Sequence, residues 1–137
     1  LESLLYTSTS RIDPAVAESA VTALVTDAQA RNNVTGLTGA LIFTGTFFAQ
    51  VFEGSSESVA TLLRALQADE RHSDMIILEH VTIAERRFSQ WSLAYSGFSR
   101  FIDEQVARVP RETSPSALKR TGERLTSMML QFVHDVR

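Results

Sequence analysis

An α+β domain built on one mixed sheet is predicted by three features of the sequence. Five short apolar segments have strand character, two longer segments carry apolar residues at helical spacing, and they follow one another as β-α-β-β-α-β-β. Helices placed between strand pairs in this way pack together on one face of a single five-stranded sheet, the ferredoxin-like arrangement. Apolar periodicity resumes after the last strand and adds C-terminal helices.

Each element has its own signal. Leu4, Leu5 and Tyr6, followed by Thr7 and Ser8, read as a buried strand ended by the polar run to Arg11. Asp13-Pro14 reads as a helix start, since a carboxylate can accept free amides and proline loses nothing at the first helical position. Ala17, Ala20, Val21, Leu24, Val25 and Ala28 then share one small-sided face that a partner can approach closely. Asn32, Asn33 and Gly36 end that helix. Gly39 to Phe43 and Phe47 to Phe52 form two strands joined by a tight turn at Thr44-Gly45-Thr46. Gly54-Ser55-Ser56 breaks the sheet and caps a second helix, striped by Val59, Leu62, Leu63 and Leu66 and running to about Gln67. Met75 to Thr82 reads as the fourth strand and Trp91 to Ser96 as the fifth, where Trp91, Leu93 and Tyr95 alternate with smaller residues. Asp103 to Val109 reads as a short helix and Pro110 to Pro115 as a polar linker. Leu118, Leu125, Met128, Met129, Phe132, Val133 and Val136 stripe a last helix that covers the sheet's free face or a second subunit.

Composition narrows the function. The 137 residues are 44% apolar and 21% charged, which fits one globular domain. With 13 basic against 16 acidic side chains, the net charge of −3 argues against a nucleic-acid or anionic-membrane surface. No apolar run is long enough to span a bilayer and no signal peptide is evident, so the expected location is cytoplasmic. The chain has no cysteine, which excludes disulfides, thiolate metal sites and cysteine nucleophiles. His72, His80 and His134 are scattered without metal-binding spacing. Asp69, Glu70, Asp74, Glu79 and Glu85 read as solvated surface around turns. No phosphate-cradling glycine loop occurs, and no enzymatic constellation is present.

The informative positions are polar groups within apolar strands. Gln50 interrupts Phe47-Phe48-Ala49-Gln50-Val51-Phe52, where its amide must be bonded at both ends or bear a desolvation cost. Tyr6 lies on the neighbouring strand, and a Tyr6–Gln50 hydrogen bond that fixes register is the plainest reading of the two. Taken singly, Asn32 reads as a helix cap, Arg71-His72 as a solvated turn and Trp91 as a core aromatic.

Together these residues say more. Tyr6-Thr7-Ser8, Arg31-Asn32, Leu37-Thr38-Gly39-Ala40-Leu41, Phe48-Ala49-Gln50-Val51-Phe52-Glu53-Gly54, Arg71-His72-Ser73 and Arg87-Phe88-Ser89-Gln90-Trp91 resemble, in order and approximate spacing, the BLUF domain, a flavin-binding blue-light sensor. The resemblance covers residues 1–97, and residues 98–137 resemble the C-terminal helical cap, or oligomerisation segment, of short stand-alone members. It implies a flavin, FAD before FMN or riboflavin, held noncovalently between the two helices on the sheet. It implies that Tyr6 is the photoactive tyrosine, Gln50 the switching glutamine and Ser8 the serine close to it. Asn32 corresponds to the asparagine that bonds the ring's pyrimidine edge, and Arg31 and Arg71 to polar contacts near its second carbonyl or the phosphates. Leu24, Val25 and Ala28 supply the small-sided wall. The family commonly has methionine where this chain has Leu93, which makes Trp91 the expected moving part or a competing electron donor.

The resemblance therefore implies a photoreceptor that catalyses nothing. It would signal by changing a surface that a downstream protein reads, and it is expected to self-associate. The alternatives on the same fold are an acylphosphatase-like hydrolase and a small-molecule-binding regulatory domain. The first wants a glycine-rich loop after the first strand, and Thr9-Ser10-Arg11-Ile12 does not supply one. Without cysteine, a light response through a cysteinyl–flavin adduct is excluded, which leaves hydrogen bonds and a reversible electron donor: Tyr6, Tyr95 or Trp91.

Overall fold

The sheet has strand order β4-β1-β3-β2-β5 in a computed structural model that describes residues 1–90, 92–96, 100–112 and 114–135. Its elements are β1 (Glu2–Ser10), α1 (Ala17–Thr35), β2 (Thr38–Phe43), β3 (Phe47–Gly54), α2 (Ser56–Gln67), β4 (His72–Thr82), β5 (Ala94–Ser96), α3 (Arg100–Ala107) and α4 (Pro115–Asp135). A 3-10 turn at Val109–Arg111 spans the end of the expected short helix and the start of the expected linker. β1, β2, β3 and β4 pair antiparallel, and β5 adds parallel to β2. This is the predicted ferredoxin-like order with a fifth strand at one edge.

Strand alternation divides the core. On one face Leu4, Tyr6 and Phe52 are buried with Val59 and Leu62 of α2, while Leu41, Phe43 and Phe48 are buried with Val21, Val25 and Ala28 of α1. On the other face Leu5, Ala40, Ile42, Ala49 and Val51 meet Val106 of α3 and Leu125, Met129 and Val133 of α4. The C-terminal stripe thus covers the chain's own sheet and is not left open for a second subunit. Ser55 caps α2, its side chain accepting from the Ser58 amide at 3.1 Å. Gly36 ends α1 in the left-handed conformation at φ 75°, its amide bonding the Asn32 carbonyl at 2.9 Å.

Several boundaries differ from expectation: α3 spans Arg100–Ala107 where the sequence predicts Asp103 to Val109, and three others have a local reason. Asp13 accepts the Ala15 amide at 2.9 Å in an Asx turn, which delays α1 to Ala17. β4 begins at His72, not Met75, because His72 and Ser73 pair with Ser10 and Thr9 of β1 beyond an irregularity where Asp74 takes a positive φ of 54°. β5 begins at Ala94 because the carbonyls of Ser92 and Leu93 are taken by side chains of α1: Asn32 Nδ2 at 2.6 Å and Gln29 Nε2 at 3.0 Å. Trp91 and Val136 lie outside the described residues. No helix among the described residues is long and apolar enough to cross a membrane.

Candidate functional site

A cavity of about 210 Å³ opens between α1, α2 and the sheet. Its floor is Tyr6 of β1, Leu41 of β2 and Phe48 and Gln50 of β3. One wall is Leu24, Asp27, Ala28 and Arg31 of α1; the opposite side runs from Leu62, Ala65 and Leu66 of α2 to Asp69, Arg71 and His72. Ala28 and Ala65 put small side chains on the facing helix walls, which leaves room for a flat ring between them.

Tyr6 and Gln50 stand directly opposite each other in the β1–β3 register. The Tyr6 hydroxyl donates to Gln50 Oε1 at 2.6 Å, and both residues are buried. Burial raises the phenol's pKa far above its ordinary value of 10.0; Asp69 pushes the same way, while Arg31 and Arg71 oppose it weakly. The phenol therefore holds its proton firmly, and Gln50 is its partner.

Asn32 sits one turn beyond Ala28 on the same helix face and is fully buried. Its Nδ2 donates to the Ser92 carbonyl, which fixes the amide's orientation, whereas Oδ1 has no partner among the described residues. An orphaned buried acceptor costs about 1–3 kcal/mol. A ligand bearing an N–H, such as the imide edge of a flavin, would satisfy it.

A charged pair lies on the α2 side of the rim. Arg71 donates to Asp69 through Nε and Nη2, and this hydrogen bonding holds the Asp69 carboxyl below its usual range. Arg31 is partly buried, and desolvation lowers its pKa. The cavity thus meets solvent through two guanidinium groups and two carboxylates, those of Asp27 and Asp69.

Of the residues singled out in the sequence, Tyr6, Gln50, Leu24, Ala28, Arg31 and Arg71 line the cavity. Val25 and Asn32 do not: Val25 is rotated into the cluster formed by Leu41, Phe43, Phe48 and Leu93, and Asn32 is buried one turn beyond the lining residue Ala28. The Ser8 hydroxyl bonds His72 Nδ1 at 2.7 Å. Trp91 cannot be placed, because it lies outside the described residues. Leu93 is buried on the α1 side of the sheet, so leucine fills the position where the family commonly has methionine.

The sequence reading missed His72 and Asp69, which it placed on solvated turns. His72 bridges Ser8 and the Leu66 carbonyl, at 2.7 and 2.6 Å, and meets the Tyr6 ring edge-on with centroids 5.9 Å apart. Asp69 lines the cavity. The available signal was the Arg71-His72-Ser73 fragment itself.

The cavity between the two helices, the opposed Tyr–Gln pair on its floor and an asparagine acceptor without a partner among the described residues make up the candidate site. Residues 1–94 match the family model "Sensors of blue-light using FAD", and the chain belongs to this BLUF family of flavin-binding blue-light sensors. Among its relatives is the blue light- and temperature-regulated antirepressor BluF of Escherichia coli (strain K12), 34% identical over 90 residues, or 66% of this chain and 22% of that protein. Another is the photoactivated adenylate cyclase subunit alpha of Euglena gracilis, 33% identical over 63 residues, or 46% of this chain and 6% of that protein. The chain thus spans a minor part of both. Among solved structures, the dark state of the BLUF protein BlrB aligns with a TM-score of 0.66 and 30% identity, covering 80% of this chain and 79% of that one.

Proposed function

We propose that the chain is a photosensory module: residues 1–97 sense light, residues 98–137 form the cap, and a protein surface carries the output. The observation that carries this reading is the 2.6 Å Tyr6–Gln50 bond on the cavity floor. A bound flavin supplies blue-light absorption and, when excited, one-electron oxidising power. Tyr6 is the electron donor, and its proton leaves and returns through Gln50. The glutamine amide has one donor end and one acceptor end, so its rotation or tautomerisation gives a second stable hydrogen-bond pattern. Asn32 holds the pyrimidine edge of the ring through Oδ1. Ser8 and His72 brace the floor, and Leu24 and Ala28 face the ring, with Val25 packing behind them. Trp91 is kept as a competing donor.

FAD is the favoured cofactor, with Arg31 and Arg71 suited to its phosphates. The cycle restores every residue, so the module performs no net reaction of its own, and a downstream protein reads the change. Self-association would use a surface other than the sheet face that α4 covers; the exposed Ile77 and Val81 on edge strand β4 are available. Light scattering in the dark checks the oligomer. The site is tested with Tyr6→Phe and Gln50→Leu: each is expected to retain flavin and lose the light-induced red shift of its absorption. A normal shift in either purified variant would sink the assignment.

A further inference from the structure

Glu53 is fully buried near the end of β3, and no ion pair involves its carboxylate among the described residues. Burying a carboxylate without a counter-charge is costly unless hydrogen bonds replace its hydration. Here they do. Oε1 accepts from Thr38 Oγ1 at 3.0 Å and from the Phe88 amide at 2.7 Å, and Oε2 accepts from the Arg87 amide at 3.0 Å. Two of the three donors are consecutive backbone amides in the segment between β4 and β5. Arg86 reinforces the join, its Nη1 donating to the Glu53 carbonyl at 3.1 Å and to the Gly36 carbonyl at 2.7 Å.

The placement links two distant regions. Gln50 and Glu53 lie three residues apart on β3 and project to opposite faces of the sheet. β3 pairs along its length with both β1 and β2, so it moves as a unit. Phe88, whose amide Glu53 holds, is fully buried in the cluster that contains Val106 of α3 and Leu125, Met129 and Val133 of α4. A stabilising role alone would be served as well by an apolar residue, which avoids the desolvation cost. A directed carboxylate fixes the position of one backbone segment against another.

We propose that Glu53 is a positioning residue that couples β3, and hence the Gln50 switch, to the Phe88 segment and through it to the C-terminal helices. This rests on the photoreceptor reading above. It provides an exit from the site on the cap face of the sheet, separate from the Leu93 side.

The test uses the flavin-loaded full chain, with amide hydrogen exchange followed by mass spectrometry in the dark and under blue light. In the wild type, illumination is expected to change exchange in both the Arg86–Phe88 segment and α4. Glu53→Gln places an NH2 group against a backbone amide and breaks one of the two ties. It is expected to keep the flavin and the red shift but lose the light-dark difference in α4. A Glu53→Gln protein with both the red shift and the full α4 response overturns the proposal, as does a wild type that shifts with no response in α4. If Glu53→Gln fails to hold flavin, Thr38→Val decides: a retained red shift with a weakened α4 response supports the coupling, and an unchanged response refutes it. A wild type with no red shift refutes the photoreceptor reading itself, so the two failures are distinguishable.

Discussion

Replacing Tyr6 by phenylalanine removes a single oxygen from a buried site and leaves Gln50 Oε1 without its 2.6 Å donor. Replacing Gln50 by leucine leaves the phenol unpartnered instead. Each change strands a buried polar group, at a cost of about 1–3 kcal/mol. For a chain of this length that lowers Tm by about 3–4 °C per kcal/mol. The double variant strands neither group, since both positions become apolar. Its loss should therefore fall short of the sum of the single losses by about 1–2 kcal/mol. Urea unfolding of all four proteins in a fixed excess of flavin, followed by circular dichroism, gives the cycle. Flavin Kd is measured alongside so that ligand linkage can be subtracted. Losses that simply add would show that the two side chains do not interact, and the proton route through Gln50 would fall with them.

Four further outcomes are expected. A β-carbon at Gly39 would lie 2.0 Å from the Val51 backbone oxygen across the β2–β3 ladder, so Gly39→Ala should cost about 4 kcal/mol or more and yield little soluble protein. Leu125 is fully buried beneath the sheet, and Leu125→Ala should lower stability by about 2–5 kcal/mol, read by urea midpoint, with the red shift retained. Folding raises the pKa of Tyr6 through burial, so its stabilising contribution is complete below pH 10.0 and is lost as pH rises beyond it; Tyr6→Phe should flatten this alkaline slope. Folding lowers the pKa of Asp69 through its bond to Arg71, so that contribution is present above the ordinary value of 3.8 and lost in acid. Asp69→Asn should reduce the acid sensitivity of the urea midpoint by a small amount, because the partner Arg71 side chain is 56% exposed and solvent screens the pair.

Periodicity carried most of the fold. The apolar Phe47-to-Phe52 run and the Val59, Leu62, Leu66 stripe are local patterns, and both were legible. The boundaries that moved depend on distant partners: β5 is shortened by Asn32 and Gln29, about sixty residues earlier in the chain. In the site, Tyr6 and Gln50 were legible because polar groups within apolar strands demand an explanation. His72 was not, since its environment is created by Ser8, 64 residues away, and by the end of α2. Asp69 likewise reads as surface until the fold brings it beside the cavity. Val25 shows the limit of a helical stripe. The buried face of α1 is wide enough to meet both the cavity and β2, and a one-residue step from Leu24 turns the side chain from one to the other.

On the proposed mechanism, light rearranges hydrogen bonds around a chemically unchanged flavin, with Tyr6 as donor. The most direct measurement is the absorption spectrum of the purified, flavin-loaded protein before, during and after blue illumination. The expected result is a small red shift of the flavin bands without bleaching, which reverts completely in the dark. A spectrum that does not move, or that bleaches to reduced flavin and needs oxygen to recover, would contradict the account.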